Sequence, residues 1–335
     1  MATLKDVAKA ARVSTVTASS VLSGANRVRV SQKTVERILG VARDLNYVPR
    51  AAARGLRTGR IHAIGFITAA HRRSHWHNWQ EILRGISDVL FDRDEQLVLS
   101  LPASAEQEVE TLRRLTFGHR VDGLIIQDAI LADRRLALLR EAGLPHVVIG
   151  GENLPDCHQV AFDMSKFARL IATHLLTRVA ALAVVAASPQ TEGERDFLAS
   201  CRAAASERGK PYAEWTGAFL PESNWFIDLR RYCDQRPMGI ILARHLLPEM
   251  LAALNTAGIS LNRDALILYL AGSEEVALVP AGLEIIHLDY YTLGRRAAKL
   301  LFNLIDNKES TASASRILVL PGMAEEILVA EKAQG

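Results

Sequence analysis

Cysteine is nearly absent: Cys157, Cys201 and Cys233 are the only three among 335 residues. Three thiols, odd in number and widely spaced, cannot staple a small secreted scaffold and suit inert, reduced positions in a cytosol. Long apolar runs are missing too, and no stretch reaches the ~18–20 residues a membrane span requires. The opening Met1-Ala2-Thr3-Leu4-Lys5-Asp6 lacks a basic stretch leading into an apolar core, so no export signal is expected. Catalytic signatures are lacking as well: no phosphate loop, Gly-x-Gly-x-x-Gly, nucleophile elbow or paired metal motif occurs. Gly150-Gly151 is an isolated pair that reads as a turn at a strand end. Together these absences lead us to expect a cytoplasmic protein with no cofactor, no metal and no membrane partner. An α/β enzyme or a transport-associated binding protein stays open as the alternative from another class, because α/β folds host many functions.

What is present is a globular composition, 49% hydrophobic and 23% charged, in a chain too long for one ordinary core. Its net charge of +3 is unevenly spread. Residues 1–60 hold twelve Lys/Arg against three Asp/Glu, a surplus of +9, and the remainder carries −6. A compact segment this basic is an electrostatic footprint for a polyanion, nucleic acid first.

The pattern inside that segment narrows the choice. Thr3 followed by Asp6 forms a capping-box-like start to a helix with Val7, Ala8 and Ala11 on one side. Ser14 caps a second helix, in which Ala18, Val21 and Leu22 share a face while Val16 and Ser20 point the opposite way. Gly24 and Asn26 break the chain, and a third helix from Ser31 carries the stripe Val35, Ile38, Leu39, Ala42 and Leu45 before Pro49. Two short helices joined by a tight turn, buried by a third, make an all-α helix-turn-helix head. A generic three-helix bundle is the plainer alternative, but so small a bundle rarely carries such a charge without a polyanionic partner. Thr15, Val16, Ser19 and Ser20 are short enough to let the second helix enter a major groove closely.

These residues resemble a known family. Leu4-Lys5-Asp6-Val7-Ala8, Val13-Ser14 with Thr17 and Val21-Leu22, and Val30-Ser31 with Thr34 look like the LacI/GalR (lactose-repressor-like) family. So do Leu45-Asn46-Tyr47-Val48-Pro49 and the stretch Ala51-Ala52-Ala53-Arg54-Gly55-Leu56-Arg57-Thr58-Gly59. The resemblance implies that the second helix reads bases, with Thr15, Val16 and Ser20 at its reading positions. It also implies DNA contacts from Thr3, Ser14, Thr17, Asn26, Arg27, Arg29, Tyr47, Arg50, Ala53, Arg54, Leu56 and Arg57. Two positions depart from the pattern. Ser20 stands where a larger polar or basic residue is common, and Arg12 where a turn glycine is usual. Neither Ser20 nor Val16 can make an arginine's bidentate guanine contact, so operator preference should be its own.

The eight residues from Arg50 to Arg57 are too few to hold a helix alone, since isolated helices below ~12–15 residues are marginal in water. Their alanines favour helix once a surface is supplied, and Arg50, Arg54 and Arg57 suit phosphates. Leu56 has no core to join. The resemblance makes it a wedge pressed into the minor groove at the operator centre, with a disordered linker as the alternative.

From Arg60 onward the pattern alternates strand and helix. Strands are expected at His62–Thr68, Gln96–Leu101, Val121–Gln127 and His146–Ile149, then at Leu182–Ala187, Met238–Leu242 and Ala265–Leu270. Helices are expected at Gln80–Phe91, Ala105–Phe117 and Arg134–Ala142, then at Lys166–Leu176, Arg195–Arg208 and Pro248–Ala257. Buried parallel strands with crossover helices make two open α/β sheets, whose ligands sit at strand carboxyl ends and in the cleft between lobes. The resemblance implies the same fold class, a two-lobed periplasmic-binding-protein-like (type I) sensor behind the helical head. Leu293-Gly294-Arg295-Arg296-Ala297 resembles its helix after the crossover. The expected division is a DNA-binding head at 1–48, a hinge at 49–60 and an effector and dimerisation domain at 61–335. Lobe 1 takes about 61–160 and 291–320, and lobe 2 about 161–290 and 321–335.

The ligand positions of the family are where this chain differs. Arg244-His245 stand in place of an Asn-Asp pair, Leu270-Ala271 in place of an aspartate, and Phe197 in place of an arginine. Nearby in the pattern, His71-Arg72-Arg73-Ser74-His75-Trp76-His77-Asn78-Trp79 holds three of ten histidines and two of four tryptophans. The His71, His75 and His77 spacing permits a metal, but no acidic or cysteine partner is adjacent. Arg72, Arg73, Arg244 and His245 suit an anion, with His75, Trp76, Trp79, Phe197 and Ala271 completing the expected pocket. Expected partners are therefore double-stranded DNA, a second copy of the chain as homodimer, and a small-molecule effector that is anionic rather than a plain sugar. A cleft without a ligand, with regulation through a partner protein or through abundance, stays open.

Overall fold

The computed structural model describes residues 2–22, 30–47, 59–68, 79–129, 133–151, 153–154, 156–189, 192–217, 237–243, 246–271, 282–306 and 316–319. The head consists of α1 (Leu4–Ala10), α2 (Thr15–Leu22) and α3 (Gln32–Asp44). Thr3 caps α1 in a full capping box with Asp6, whose carboxyl is held below its ordinary value chiefly by the Thr3 hydroxyl. Ser31 caps α3 through the Thr34 amide. Val7, Ala11, Ile38 and Ala42 form a small core, with Val13, Val21, Leu22, Val41 and Tyr47 packed against it. Six buried apolar residues (Val7, Ala8, Ala11, Ala18, Ile38 and Ala42) make a modest core, which the caps supplement.

The body contains β1 (Ala63–Ile67), α4 (Trp79–Phe91), β2 (Gln96–Ser100), α5 (Ala105–Phe117), β3 (Gly123–Gln127), α6 (Arg134–Ala142), β4 (His146–Ile149) and β5 (Gln159–Phe162). It continues with α7 (Met164–Leu176), β6 (Ala181–Ala186), α8 (Glu192–Glu207), β7 (Tyr212–Thr216), β8 (Met238–Leu242), α9 (Leu247–Ala257), β9 (Ala265–Ala271) and β10 (Glu284–His287). The last elements are α10 (Tyr290–Ile305) and β11 (Arg316–Val319). Among the described residues the strands form two sheets, ordered β11-β5-β4-β3-β1-β2 and β10-β9-β8-β6-β7, and every pairing is parallel.

Parallel strands must be covered on both faces, and both sheets are. In lobe 1, α4 and α10 cover one face with Ile82, Ile86, Leu301 and Phe302, while α5 and α6 cover the other with Leu112, Leu115, Leu136 and Leu139. In lobe 2, α7 and α8 cover one face and α9 the other. The chain passes from the first sheet to the second after β5, and returns after β10 so that α10 packs on the first. This is the two-lobed α/β architecture that the alternation implied.

Some boundaries differ for local reasons. The first strand starts at Ala63 rather than His62, because His62 is left-handed with φ of 60°. β5, β7, β10 and β11 carry no clear signal in the sequence: each has four or five residues and includes polar side chains such as Gln159, Glu214, Glu284 and Arg316. Short edge or crossover strands borrow their stability from neighbours, which periodicity does not register.

Candidate nucleic-acid interface and effector cleft

The helix-turn-helix begins with a sharp turn between α1 and α2. Arg12 sits there in the left-handed region, φ 52°, where a side chain is strained and glycine is free. The Ser14 hydroxyl, 3.0 Å from the Thr17 amide, satisfies the first turn of α2 and contacts the Thr17 hydroxyl at 2.9 Å. Ser14 and Thr15 are exposed, and Val16 is 69% exposed, an unusual state for a valine in a folded head. Thr3 is exposed beside them in sequence order, with its hydroxyl engaged by Asp6. Thr17 and Tyr47 are half-buried, Tyr47 against the head core.

Ser20 is a correction. It is only 7% exposed, so it does not share the outward face of Val16. A helical wheel counts only the helix's own period; in the last turn of an eight-residue helix, the segments it abuts decide what is covered. Asn26, Arg27, Arg29, Arg50, Ala53, Arg54, Leu56 and Arg57 lie outside the described residues.

In the body, the ends of β1, β3 and β4 in lobe 1 and of β6, β8 and β9 in lobe 2 are where a parallel sheet presents a ligand. Arg72, Arg73, His75 and Trp76 follow β1, and Arg244 and His245 follow β8, but all six lie outside the described residues. Trp79 opens α4 and is half-buried, and Ala271 is the last residue of β9. Phe197 is the second correction. It is 6% exposed and packs in the lobe 2 core with its ring 6.1 Å from that of Phe167. An apolar residue on the sheet-facing side of α8 has a core to fill, and that outweighs its aligned position.

The end of β3 holds what the sequence did not disclose. Gln127 is 7% exposed, and its carboxamide oxygen has no hydrogen-bond partner among the described residues. Asp128 follows in the left-handed region, φ 50°, with its carboxylate against Gly150, where an added Cβ would meet Oδ1 at 2.7 Å. Gly150 and Gly151 both have positive φ, 68° and 83°, so this pair is the turn that closes β4. Arg135 pins the assembly from below. Its guanidinium meets Glu108 at 2.5 Å and Asp133 at 2.6 Å, and donates to the carbonyls of Gln127 at 3.0 Å and Asp128 at 3.1 Å. Burial alone would lower this group, but the bonds and charges of Asp133 and Glu108 outweigh burial and hold it above its ordinary value. The signal available in the sequence was a glutamine closing an otherwise apolar strand.

Three comparisons bear on these two sites. Residues 3–50 match the model of the bacterial regulatory proteins, lacI family. The HTH-type transcriptional regulator MalR of Streptococcus pneumoniae is 29% identical over 174 residues, 49% of this chain and 52% of that protein. The chain thus spans about half the length of that relative. The HTH-type transcriptional repressor PurR of Mannheimia succiniciproducens is 25% identical across 92% of this chain and 94% of its own. The structure of the lac repressor dimer bound to operator and the anti-inducer ONPF superposes with a TM-score of 0.73 at 22% identity, covering 96% of this chain and 97% of that one. That likeness carries the two-lobed body as well as the head. The head thus matches the lacI family model, and the body shares the two-lobed fold of the lac repressor's.

Proposed function

We propose that the chain is a sequence-specific transcriptional repressor that binds a palindromic operator as a homodimer and answers to a small molecule between its lobes. The observation that carries this reading is the capped α2, with Ser14, Thr15 and Val16 turned outward within the segment that matches the family model. One head presents one reading helix, so useful affinity needs two heads on half-sites related by twofold symmetry. The head at 1–48, the hinge at 49–60 and the sensor at 61–335 divide these tasks, and the protein acts in the cytoplasm at the nucleoid. The reaction is binding, with no catalytic group called for. Selection from a random duplex library, followed by titration at rising salt, tests it. One preferred palindrome and a steep salt dependence are expected; equal affinity for every duplex would end the regulator reading.

The hinge gives a sharper version of that experiment. Leu56→Ala should weaken binding to the selected operator by a few kcal/mol at most, because unstacking costs partly offset what the wedge gains. Binding to random DNA, dominated by Arg and Lys on phosphates, should barely change. Equal losses on both would show that Leu56 is no wedge.

For the effector we infer an anion. Arg244 and His245 stand in place of an Asn-Asp pair, the Arg72-Arg73 loop adds two more cations, and a guanidinium fork pairs best with carboxylate or phosphate. The buried Gln127 oxygen offers an acceptor for a donor group on the same molecule. All four tryptophans (Trp76, Trp79, Trp215, Trp225) lie beyond residue 60, so intrinsic fluorescence reports on the sensor without interference from the head. Titration with neutral sugars, sugar acids and sugar phosphates should favour the anions. Arg244→Ala should weaken them about 10–100-fold, the worth of one charge-assisted hydrogen bond. Tight binding of a neutral sugar, indifferent to that substitution, would refute the idea.

A further inference from the structure

Among the described residues, a dense cluster of charge outside the two sites lies where the chain enters lobe 1 from the linker. Gly59 has φ of 69°, a left-handed backbone that glycine adopts without strain, and nothing lies within 4 Å of where a Cβ would be. The next three residues are held from several sides. One carboxylate oxygen of Asp122 accepts the Ile61 amide at 2.8 Å, and the other accepts the His62 amide at 2.7 Å. The Asp122 amide in turn donates to the Ala63 carbonyl at 2.8 Å. Arg60 fans across three acidic groups: Glu95 at 3.0 Å, Asp122 at 3.4 Å and Asp306 at 3.7 Å. These belong to the turn after α4, the start of β3 and the end of α10, so a single side chain ties the linker to three elements of one lobe. Asp306 is also held by Arg93 at 3.0 Å, and the Glu95 side chain is only 4% exposed.

We propose that Asp122 is a positioning residue for operator binding: with Arg60, it fixes where and in what direction the linker leaves lobe 1. A left-handed glycine followed at once by a many-point anchor marks where the chain becomes fixed to the lobe. Arg60 and Asp122 lie on the lobe side of that point. Any rearrangement of lobe 1 is passed to the first linker residue through backbone bonds to a carboxylate rather than through a slack chain. Two heads must land on half-sites at one spacing, so an error in the exit direction displaces both reading helices. Binding to arbitrary DNA rests on phosphates, which repeat along the duplex, and it tolerates such an error.

This inference rests on the DNA-binding reading given above, and its test separates the two. Full-length wild type and Asp122→Asn are compared on the selected operator and on random duplex of equal length. The asparagine keeps one acceptor oxygen and turns an N–H group toward a backbone N–H, so one of the two pins is lost. Operator affinity is expected to fall roughly 10–100-fold, the span set by losing one charge-assisted hydrogen bond. Affinity for random DNA should hold or rise slightly, because a negative charge has been removed from a protein that binds phosphates. That pair of signs singles out positioning. A merely unfolded fraction lowers both affinities by one factor, and electrostatics alone raises both. If Asp122→Asn does not fold, Asp306→Asn removes one arm of the Arg60 fan and leaves the backbone pins in place. It should give the same pair of signs at smaller amplitude. Equal factors on operator and random DNA, in either variant, would overturn the proposal. A wild type that prefers no sequence would instead overturn the regulator reading.

Discussion

Arg135→Met is expected to cost lobe 1 about 3–5 kcal/mol, the usual consequence of removing one partner from a buried ion cluster. The side chains of Arg135, Glu108 and Asp133 are 3%, 2% and 7% exposed, so the two carboxylates left behind would have little water to turn to. All the guanidinium nitrogens are engaged: Nε on Asp133 at 2.9 Å, one terminal nitrogen on Glu108 and the Gln127 carbonyl, the other on Asp133 and the Asp128 carbonyl. Methionine fills much of the same volume, so the loss comes from uncompensated charge rather than from a cavity. A second substitution, Glu108→Leu, should recover part of the loss because it removes one stranded charge. Asp133 is best left alone, since it also caps α6 by accepting the Arg135 amide at 2.9 Å. Urea unfolding of the single and double variants measures both effects. A single-variant loss below ~1 kcal/mol, the level of an exposed pair, would show that water reaches the cluster.

The same cluster shows where a sequence stops being informative. The lobes, the helical head and most strands could be read because they rest on periodic burial, and α1, α2 and α3 begin where Thr3, Ser14 and Ser31 said they would. Arg12 was legible as an exception to the usual turn glycine, and its left-handed φ shows the strain it accepts. Arg135 follows Arg134 in the sequence and looks like a second surface cation, yet it is the best-bonded charge at the end of β3. Its partners come from α5, from the residue before α6 and from the β3 backbone, and no local pattern forecasts that meeting. Asp122 is likewise a plain acidic residue until β1 is laid beside β3 and its carboxylate finds two amides from residues 61 and 62. Phe197 failed in the opposite sense: its position along the chain suggested a pocket, while its place on the buried side of α8 put it in the core. Polar function at strand ends depends on tertiary neighbours, whereas apolar periodicity is written in the element itself.

Gly294→Ala sets two physical effects against each other, and their magnitudes decide the sign. Gly294 lies inside α10, where alanine is favoured over glycine by about 1 kcal/mol on helix propensity. An added Cβ, however, would sit on the Ile82 carbonyl oxygen, with the Ile82 carbonyl carbon at 2.9 Å and Cα at 3.0 Å. All three are backbone atoms of α4, so no side chain can turn aside. The crossing is reciprocal: a Cβ on Gly85 would sit on the Tyr291 carbonyl oxygen, with the Arg295 amide nitrogen at 3.0 Å. The two helices touch backbone to backbone, and a methyl group at the contact must push apart the pair that covers one face of the first sheet. Overpacking of this kind costs about 1–3 kcal/mol and more where backbone must move, so it outweighs propensity and the variant should be destabilised by at least ~2 kcal/mol. Gly40 provides the matched control. It lies inside α3 with nothing within 4 Å of an added Cβ, so propensity acts alone there. Gly40→Ala should stabilise the head by about 0.5–1 kcal/mol. Chemical denaturation of both variants gives the comparison. Opposite signs are expected, and a neutral or stabilising Gly294→Ala would mean that α4 and α10 do not cross at these two glycines.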